Sequence, residues 1–114
     1  MPTRYYLSLP DPATARGNDA DLAFHAHGAE AIAQELQDAL RNDGLFQRWR
    51  AKHENPDTID AALGATDHDA TVTSKQHEQR IDLIATTSLP GSVFKQRLRL
   101  LAGNGWTMSD VTSA

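Results

Sequence analysis

Two early stretches of the chain alternate between hydrophobic and polar side chains. In residues 4–9 every second side chain is apolar, and the same alternation recurs in residues 22–27. A period of two residues is typical of a β-strand that buries one face. We therefore predict a strand over each stretch. Pro10 and Pro12 end the first strand, because proline has no N–H to donate to a sheet.

The next two segments show helical spacing instead. Residues 29–41 carry apolar side chains on one side, and polar or charged side chains on the other. The apolar side consists of Ile32, Ala33, Leu36, Ala39 and Leu40. This spacing predicts an amphipathic helix. Asn42 to Gly44 end it, and a second, shorter helix is expected to run to about Lys52.

The stretch 71–101 is the most strongly patterned part of the chain. It predicts a strand over 71–73, a polar turn, and a longer apolar and β-branched strand over 81–87. A helix over 93–101 follows a proline and glycine turn. The last strand is expected over 106–111.

The order of these elements predicts the fold class. From residue 22 onward the order is strand, helix with a short companion, strand, strand, helix, strand, which is typical of a ferredoxin-like two-layer sandwich. Such an α+β fold has an antiparallel sheet with helices on one face. Residues 4–9 would then be an added N-terminal strand, which either extends an edge or pairs with 22–27. We expect residues 1–114 to form one domain, and residues 10–21, which are poor in apolar side chains, to be a flexible loop.

Composition narrows the classes of function. The chain has 15 acidic and 11 basic residues, a net charge of -4, which argues against nucleic acid as its main ligand. It has no cysteine, so disulfides and a thiol nucleophile are excluded. There is no signal-peptide pattern and no apolar run near the roughly 18 residues of a membrane span, so we expect a cytoplasmic protein without a membrane partner. No glycine-rich phosphate loop occurs, and no cofactor is expected.

Two histidines are the sharpest chemical signal. His25 and His27 would share one face of the predicted strand, and this spacing lets two imidazoles reach one metal ion. His77 or Asp82 could supply a third ligand. A metal-dependent or acid–base enzyme is therefore the alternative function. The simpler explanation is that both histidines are polar residues on the solvent side of a strand, since zinc sites normally show at least three recognisable ligands.

Arg97 is the unusual residue of the last predicted helix. On a helical wheel it lies inside the apolar arc of 93–101. Three explanations stay open: the side chain reaches past the edge of the core, it pairs with a carboxylate such as Asp82 or Asp110, or it lies in an interface. A weaker hypothesis, nucleic-acid binding, would use Arg97 together with Arg80, Lys95 and Arg99.

The leading hypothesis is a small, soluble, non-enzymatic binding module. It would contact a protein partner, or a second copy of itself in a homodimer, through the sheet face that the helices leave uncovered. One core explains every patterned segment, and no segment offers three convergent reactive groups. The predicted binding-face residues are Tyr6, His25, His27, Asp82, Ile84, Thr86 and Arg97. Tyr6 and Ile84 would be the apolar anchors in a polar surrounding.

Overall fold

The computed structural model describes residues 2–114 and is α+β, with a four-stranded antiparallel sheet and three helices. The strands are β1 (Thr3–Leu9), β2 (Thr71–His77), β3 (Arg80–Thr87) and β4 (Thr107–Ser113). The helices are α1 (Ala29–Arg41), α2 (Gly44–Ala51) and α3 (Gly91–Ala102). Two 3₁₀ turns, Pro56–Thr58 and Ala61–Gly64, lie between α2 and β2. Among residues 2–114, no helix is long and apolar enough to cross a membrane.

The strands follow one another across the sheet in the order β2-β3-β1-β4, and all neighbours are antiparallel. β1 is therefore a central strand. The register places Tyr6 opposite Ile84 of β3 and opposite Asp110 of β4. Ile84 in turn lies opposite Thr73 of β2, so these four residues form one row across the sheet.

One face of the sheet packs against the helices and contributes its side chains to the hydrophobic core. Along β1 and β3 every second side chain is buried, as the alternation predicts. The apolar side of α1 is buried at all five predicted positions, and α1 packs on β2 and β3. α3 packs on β1, where the Phe94 ring stacks on the Tyr5 ring with centroids 4.2 Å apart. Periodic burial therefore governs these elements, as predicted.

The predicted strand over residues 22–27 is wrong. Leu22, Ala23 and Phe24 are buried in succession, and the segment has no strand neighbour. Its backbone groups bind side chains and backbone carbonyls that belong to no strand; the Phe24 N–H, for example, donates to the Leu101 carbonyl at 2.9 Å. The Arg16 guanidinium donates to the carbonyls of Phe24 and Ala26 at 2.6 and 2.7 Å. The Glu35 carboxylate accepts hydrogen bonds from the N–H groups of His25 and Ala26 at 2.9 and 3.1 Å.

The predicted position of residues 4–9 as an added strand is wrong as well. These residues form β1, which lies between β3 and β4. They are the first strand before α1, the place that the sequence pattern gives to residues 22–27. The other predicted strands are present with shifted ends. β2 extends four residues beyond Thr73, because its pairing with β3 continues to His77 opposite Arg80.

The segment before residue 22 is anchored to the end of α3. Ala15 is buried, and the Gly17 N–H donates to the Leu101 carbonyl at 3.1 Å. Gly103 turns the chain after α3 with a φ of 62°, a conformation that favours glycine. The flexibility of residues 10–21 stays a prediction, and these contacts limit any motion near Ala15 and Gly17.

Asp67 fixes the end of β3 to the connection from α2. Its Oδ2 atom accepts hydrogen bonds from the Thr87 hydroxyl and the Ser88 N–H, both at 2.8 Å. Burial raises the pKa of Asp67, but the hydrogen bonds from Ser88, Thr87 and the Asp69 N–H, with the Arg41 charge, outweigh it and hold this pKa below its usual value. The charged form of Asp67 therefore stabilises the folded protein.

We expect Asp67→Asn to lower the free energy of unfolding at pH 7 by about 1 to 2 kcal/mol, because the amide is a weaker acceptor than a carboxylate. A lowered folded-state pKa stabilises above the unfolded pKa of about 4, and this contribution is lost as pH falls through the folded pKa. The deficit of the variant should therefore shrink on acidification. Denaturant unfolding over a pH series measures it, with Asp69→Asn as the exposed control. A deficit that is constant with pH would contradict the assignment.

Candidate functional site

The sheet has a second face that points away from the core, which we call the outer sheet face. It is formed by the side chains that alternate with the buried ones. They are Arg4, Tyr6, Ser8, Thr71, Thr73, Lys75, Asp82, Ile84, Thr86 and Asp110. A groove of about 600 Å³ runs along this face. Thr73, Lys75, Ile84 and Ser109 are among its lining residues.

The centre of the outer sheet face is apolar. Tyr6 and Ile84 are register partners on the two central strands, so their side chains are adjacent. Ile84 is 38% exposed, which is unusual for an isoleucine in the middle of a sheet. Hydroxyl side chains surround the pair, with Thr73 and Ser8 on neighbouring positions. An apolar centre with a polar rim is the general form of a protein interface.

Charged side chains gather where β2 turns into β3. The Asp82 carboxylate lies 3.1 Å from the Arg80 Nε atom and 3.2 Å from the His77 Nε2 atom. Lys75 lies opposite Asp82 in register, and makes no ion pair with any residue from 2 to 114. Exposed ion pairs contribute little to stability. Among the residues that line this end of the groove, Lys75 and Arg80 are cationic and Asp82 is anionic.

The structure places His25 and His27 outside the sheet, so their assignment to its binding face is wrong. Both are exposed and lie in the irregular segment before α1. The Nδ1 atom of His25 is 3.4 Å from the Glu35 carboxylate. His77 and Asp82 do come together, at the turn between β2 and β3. Across residues 2–114, no group of three or more histidine, aspartate or glutamate side chains is arranged to hold a metal ion.

Arg97 is a buried structural residue, and its assignment to the binding face is also wrong. It is 0% exposed. Its guanidinium donates to the Ala39 carbonyl at 2.9 Å, to the Leu63 carbonyl at 3.0 Å and to the Ala65 carbonyl. Burial lowers the pKa of Arg97, and the charge of Asp43 partly opposes this.

The carboxylates suggested for Arg97 cannot reach it. Asp82 and Asp110 lie on the outer sheet face, whereas Arg97 belongs to a helix on the core side. In the described part of the chain no carboxylate lies within 4.0 Å of the guanidinium. Backbone carbonyls therefore replace the predicted side-chain partner.

Four of the predicted binding-face residues do lie on the outer sheet face: Tyr6, Asp82, Ile84 and Thr86. Sequence reasoning missed Lys75, because the predicted strand stopped at Thr73. Residues 74–77 are all polar, so hydrophobic alternation gives no signal for this extension. The pairing of β2 with β3 continues up to a two-residue turn, at which Glu78 adopts a left-handed φ of 55°.

A second concavity, of about 350 Å³, lies on the other side of the molecule. Trp49, which is half-buried, contacts the His53 ring edge-on with centroids 4.5 Å apart. Lys52 bridges Asp19 and Asp21 at 2.9 and 3.0 Å, and the hydrogen bond from Lys52 lowers the pKa of Asp19. These contacts connect α2 to the segment before residue 22, so this concavity is explained by packing.

No protein-family model, no curated protein and no solved structure matches this chain. Of its surfaces, the outer sheet face combines an exposed apolar centre, a groove and charges without partners.

Proposed function

We propose that this protein is a non-enzymatic binding module that contacts another protein molecule through the outer sheet face. The observation that carries the proposal is the exposed Ile84 beside Tyr6 at the centre of that face. The same two strands bury every alternate side chain on their core side. A large aliphatic side chain left in water at the middle of a sheet is stabilised when a partner covers it.

The fold we propose is the ferredoxin-like two-layer sandwich. The order of strands and helices along the chain, with α2 as an extra helix after α1, supports it. So does the antiparallel sheet order β2-β3-β1-β4. In such a sandwich the helices cover one face of the sheet and the other remains accessible. The exposure of Ile84 on the face opposite Phe94 agrees with this arrangement.

A protein ligand fits this face better than a nucleic acid does. Single-stranded nucleic acids are held by several stacked aromatic rings and a positive groove. Tyr6 is the single aromatic side chain of the outer sheet face, and the carboxylates of Asp82 and Asp110 lie on the same face. An aromatic and an aliphatic anchor inside a rim of hydroxyl groups resembles a protein interface instead.

A photoreactive amino acid placed at Thr73 tests the proposal. Thr73 is exposed and borders the groove next to Ile84, so a bound protein should be cross-linked there. The same amino acid at Ala31, on the exposed side of α1, is the control. We expect covalent protein adducts from position 73 in cells, and none beyond background from position 31. Equal adduct yields from both positions, or none from 73, would refute the proposal.

We expect Ile84→Ser to weaken partner binding by about tenfold, since removing one central apolar anchor costs about 1.4 kcal/mol. Val111→Ser is the matched control, because Val111 is 48% exposed but belongs to the opposite side of the edge strand β4. Titration of adduct yield from position 73 in both backgrounds measures the effect. If both substitutions weaken binding equally, exposed apolar area in general, and not the outer sheet face, is responsible.

A further inference from the structure

We infer that the partner covering the outer sheet face is a second copy of this chain. The two copies are related by a two-fold axis that lies between the two stacked sheets, over the line midway between β1 and β3, and runs parallel to the strands. This inference rests on the proposed function and names its partner. It follows from the order of the strands, from the register of the apolar pair and from two charges at opposite edges of the sheet.

The strand order makes the outer sheet face self-complementary. A two-fold axis between the two central strands exchanges the two halves of the sheet order β2-β3-β1-β4. It therefore stacks β1 on β3 of the second copy, and β2 on β4 of the second copy. Contacts of this kind occur twice in a two-fold interface, so each favourable pair counts double.

The apolar pair fits this symmetry. Tyr6 and Ile84 are direct register partners, so they lie at the same position along the strand direction, which is also the direction of the axis. The rotation then places Tyr6 over Ile84 of the second copy, and Ile84 over Tyr6 of the second copy. An aromatic ring packed on an aliphatic side chain in both halves would remove the exposed centre of the face from water.

The charges fit it as well. Lys75 projects from β2 and Asp110 from β4, the two edge strands that the axis superimposes. Neither side chain makes an ion pair within residues 2–114. Lys75 is two residues along β2 from Thr73, the residue in the row of Asp110. That offset is about 6.6 Å, which the lysine side chain can span.

The size of the face sets the expected affinity. Four strands spaced by about 4.8 Å and seven residues rising about 3.3 Å each give a footprint of roughly 450 Å² per copy. Interfaces that bury less than about 1,200 Å² in total are typical of weak or transient complexes. We therefore expect a reversible dimer with a dissociation constant of about micromolar order.

Charge exchange tests the two-fold arrangement. Lys75→Glu places two carboxylates against each other in the homodimer, and Asp110→Lys places two ammonium groups against each other. Each single variant should self-associate at least about tenfold more weakly than the wild-type chain. A mixture of the two variants should form a heterodimer, because both edges then pair opposite charges. The double variant should dimerise like the wild-type chain for the same reason.

Sedimentation equilibrium across a micromolar concentration series measures these constants. Lys95→Glu and Asp57→Lys are the controls, since both residues are exposed and lie away from the sheet. Equal weakening by the controls, or no recovery in the mixture and in the double variant, would overturn the two-fold arrangement. The wild-type chain could instead be monomeric and still give Ile84-dependent adducts with other proteins from position 73. That result would overturn the inference that the partner is a second copy, but the proposal that the outer sheet face binds a protein would stand. Absence of any adduct would overturn the binding face itself.

Discussion

Replacing Arg97 with lysine is expected to lower the free energy of unfolding by about 3 kcal/mol or more, although the positive charge is kept. The expected loss comes from geometry. Arg97 binds three backbone carbonyls with the two terminal nitrogens of one planar guanidinium. A lysine ammonium is a single point donor on a different stem, so it cannot hold the same set of carbonyls at once.

The three carbonyls belong to two different parts of the chain. Ala39 is in the last turn of α1, and Leu63 and Ala65 are in and just after the second 3₁₀ turn. Arg97 itself comes from the middle of α3. The carbonyl end of a helix carries partial negative charge, which favours a cation there. A single side chain therefore joins α3, the end of α1 and the connection to β2, and its direct hydrogen-bond partners are carbonyl oxygens and not a carboxylate.

Equilibrium unfolding in urea, followed by tryptophan fluorescence, measures the effect. Arg99→Lys is the matched control, since Arg99 is exposed on the same helix and should change stability by less than about 0.5 kcal/mol. Arg97→Met leaves the same carbonyls unpaired without a charge, and should also be strongly destabilised. A lysine variant as stable as the wild-type chain would show that the geometry of the guanidinium is unimportant.

Arg97 also shows where prediction from sequence reaches its limit. The spacing of the helix places it inside an apolar arc, and that arc is buried as predicted except at Leu100, which is partly buried. The partner was not visible, because backbone carbonyls carry no signature in a sequence. Only the three-dimensional path of residues 39–65 brings them to Arg97.

The fold likewise combines elements that local spacing predicts with elements that depend on distant partners. α1 and β3 follow from local periodicity, which requires only that one side of an element be buried. Residues 22–27 show the same alternation and form no strand. Their backbone groups are satisfied by the Arg16 and Glu35 side chains and by carbonyls outside any strand, such as that of Leu101. Whether an extended segment joins a sheet depends on partners distant in the sequence. The central place of β1 was missed for this reason.

The outer sheet face was predictable in part. Alternation alone assigns Tyr6 and Ile84 to the side opposite the core, and the structure has both there. Their direct juxtaposition depends on the register between β1 and β3, which spacing does not reveal. The relation between Lys75 and Asp110 depends further on the strand order, because these residues belong to opposite edges of the sheet. The charge pattern behind the inferred dimer is therefore a property of the topology.

Gly17→Ala is the second substitution with a large expected effect. A Cβ atom at this position would lie 2.2 Å from the carbonyl oxygen of Leu100, and 3.1 Å from its carbonyl carbon. Both atoms belong to the backbone of α3, which cannot move aside as a flexible side chain would. We expect the free energy of unfolding to fall by about 3 kcal/mol, at the upper end of the cost of overpacking.

The affected contact is specific to this site. The Gly17 N–H and the Phe24 N–H both donate to the Leu101 carbonyl, at 3.1 and 2.9 Å. Displacing residue 17 should therefore loosen the whole segment between β1 and α1 from α3. Amide hydrogen exchange should show faster exchange at Gly17 and Phe24 in any variant that still folds, with β2 and β3 protected as in the wild-type chain.

Gly28→Ala is the matched control, because a Cβ atom there would meet nothing within 4 Å. Gly28 precedes α1 with a φ of -93°, which alanine adopts without strain. We expect its free energy of unfolding to stay within about 0.5 kcal/mol of the wild-type value. If Gly17→Ala is equally neutral, the segment from 10 to 21 does not stay docked on α3 in solution. The flexible loop predicted from its composition would then be correct.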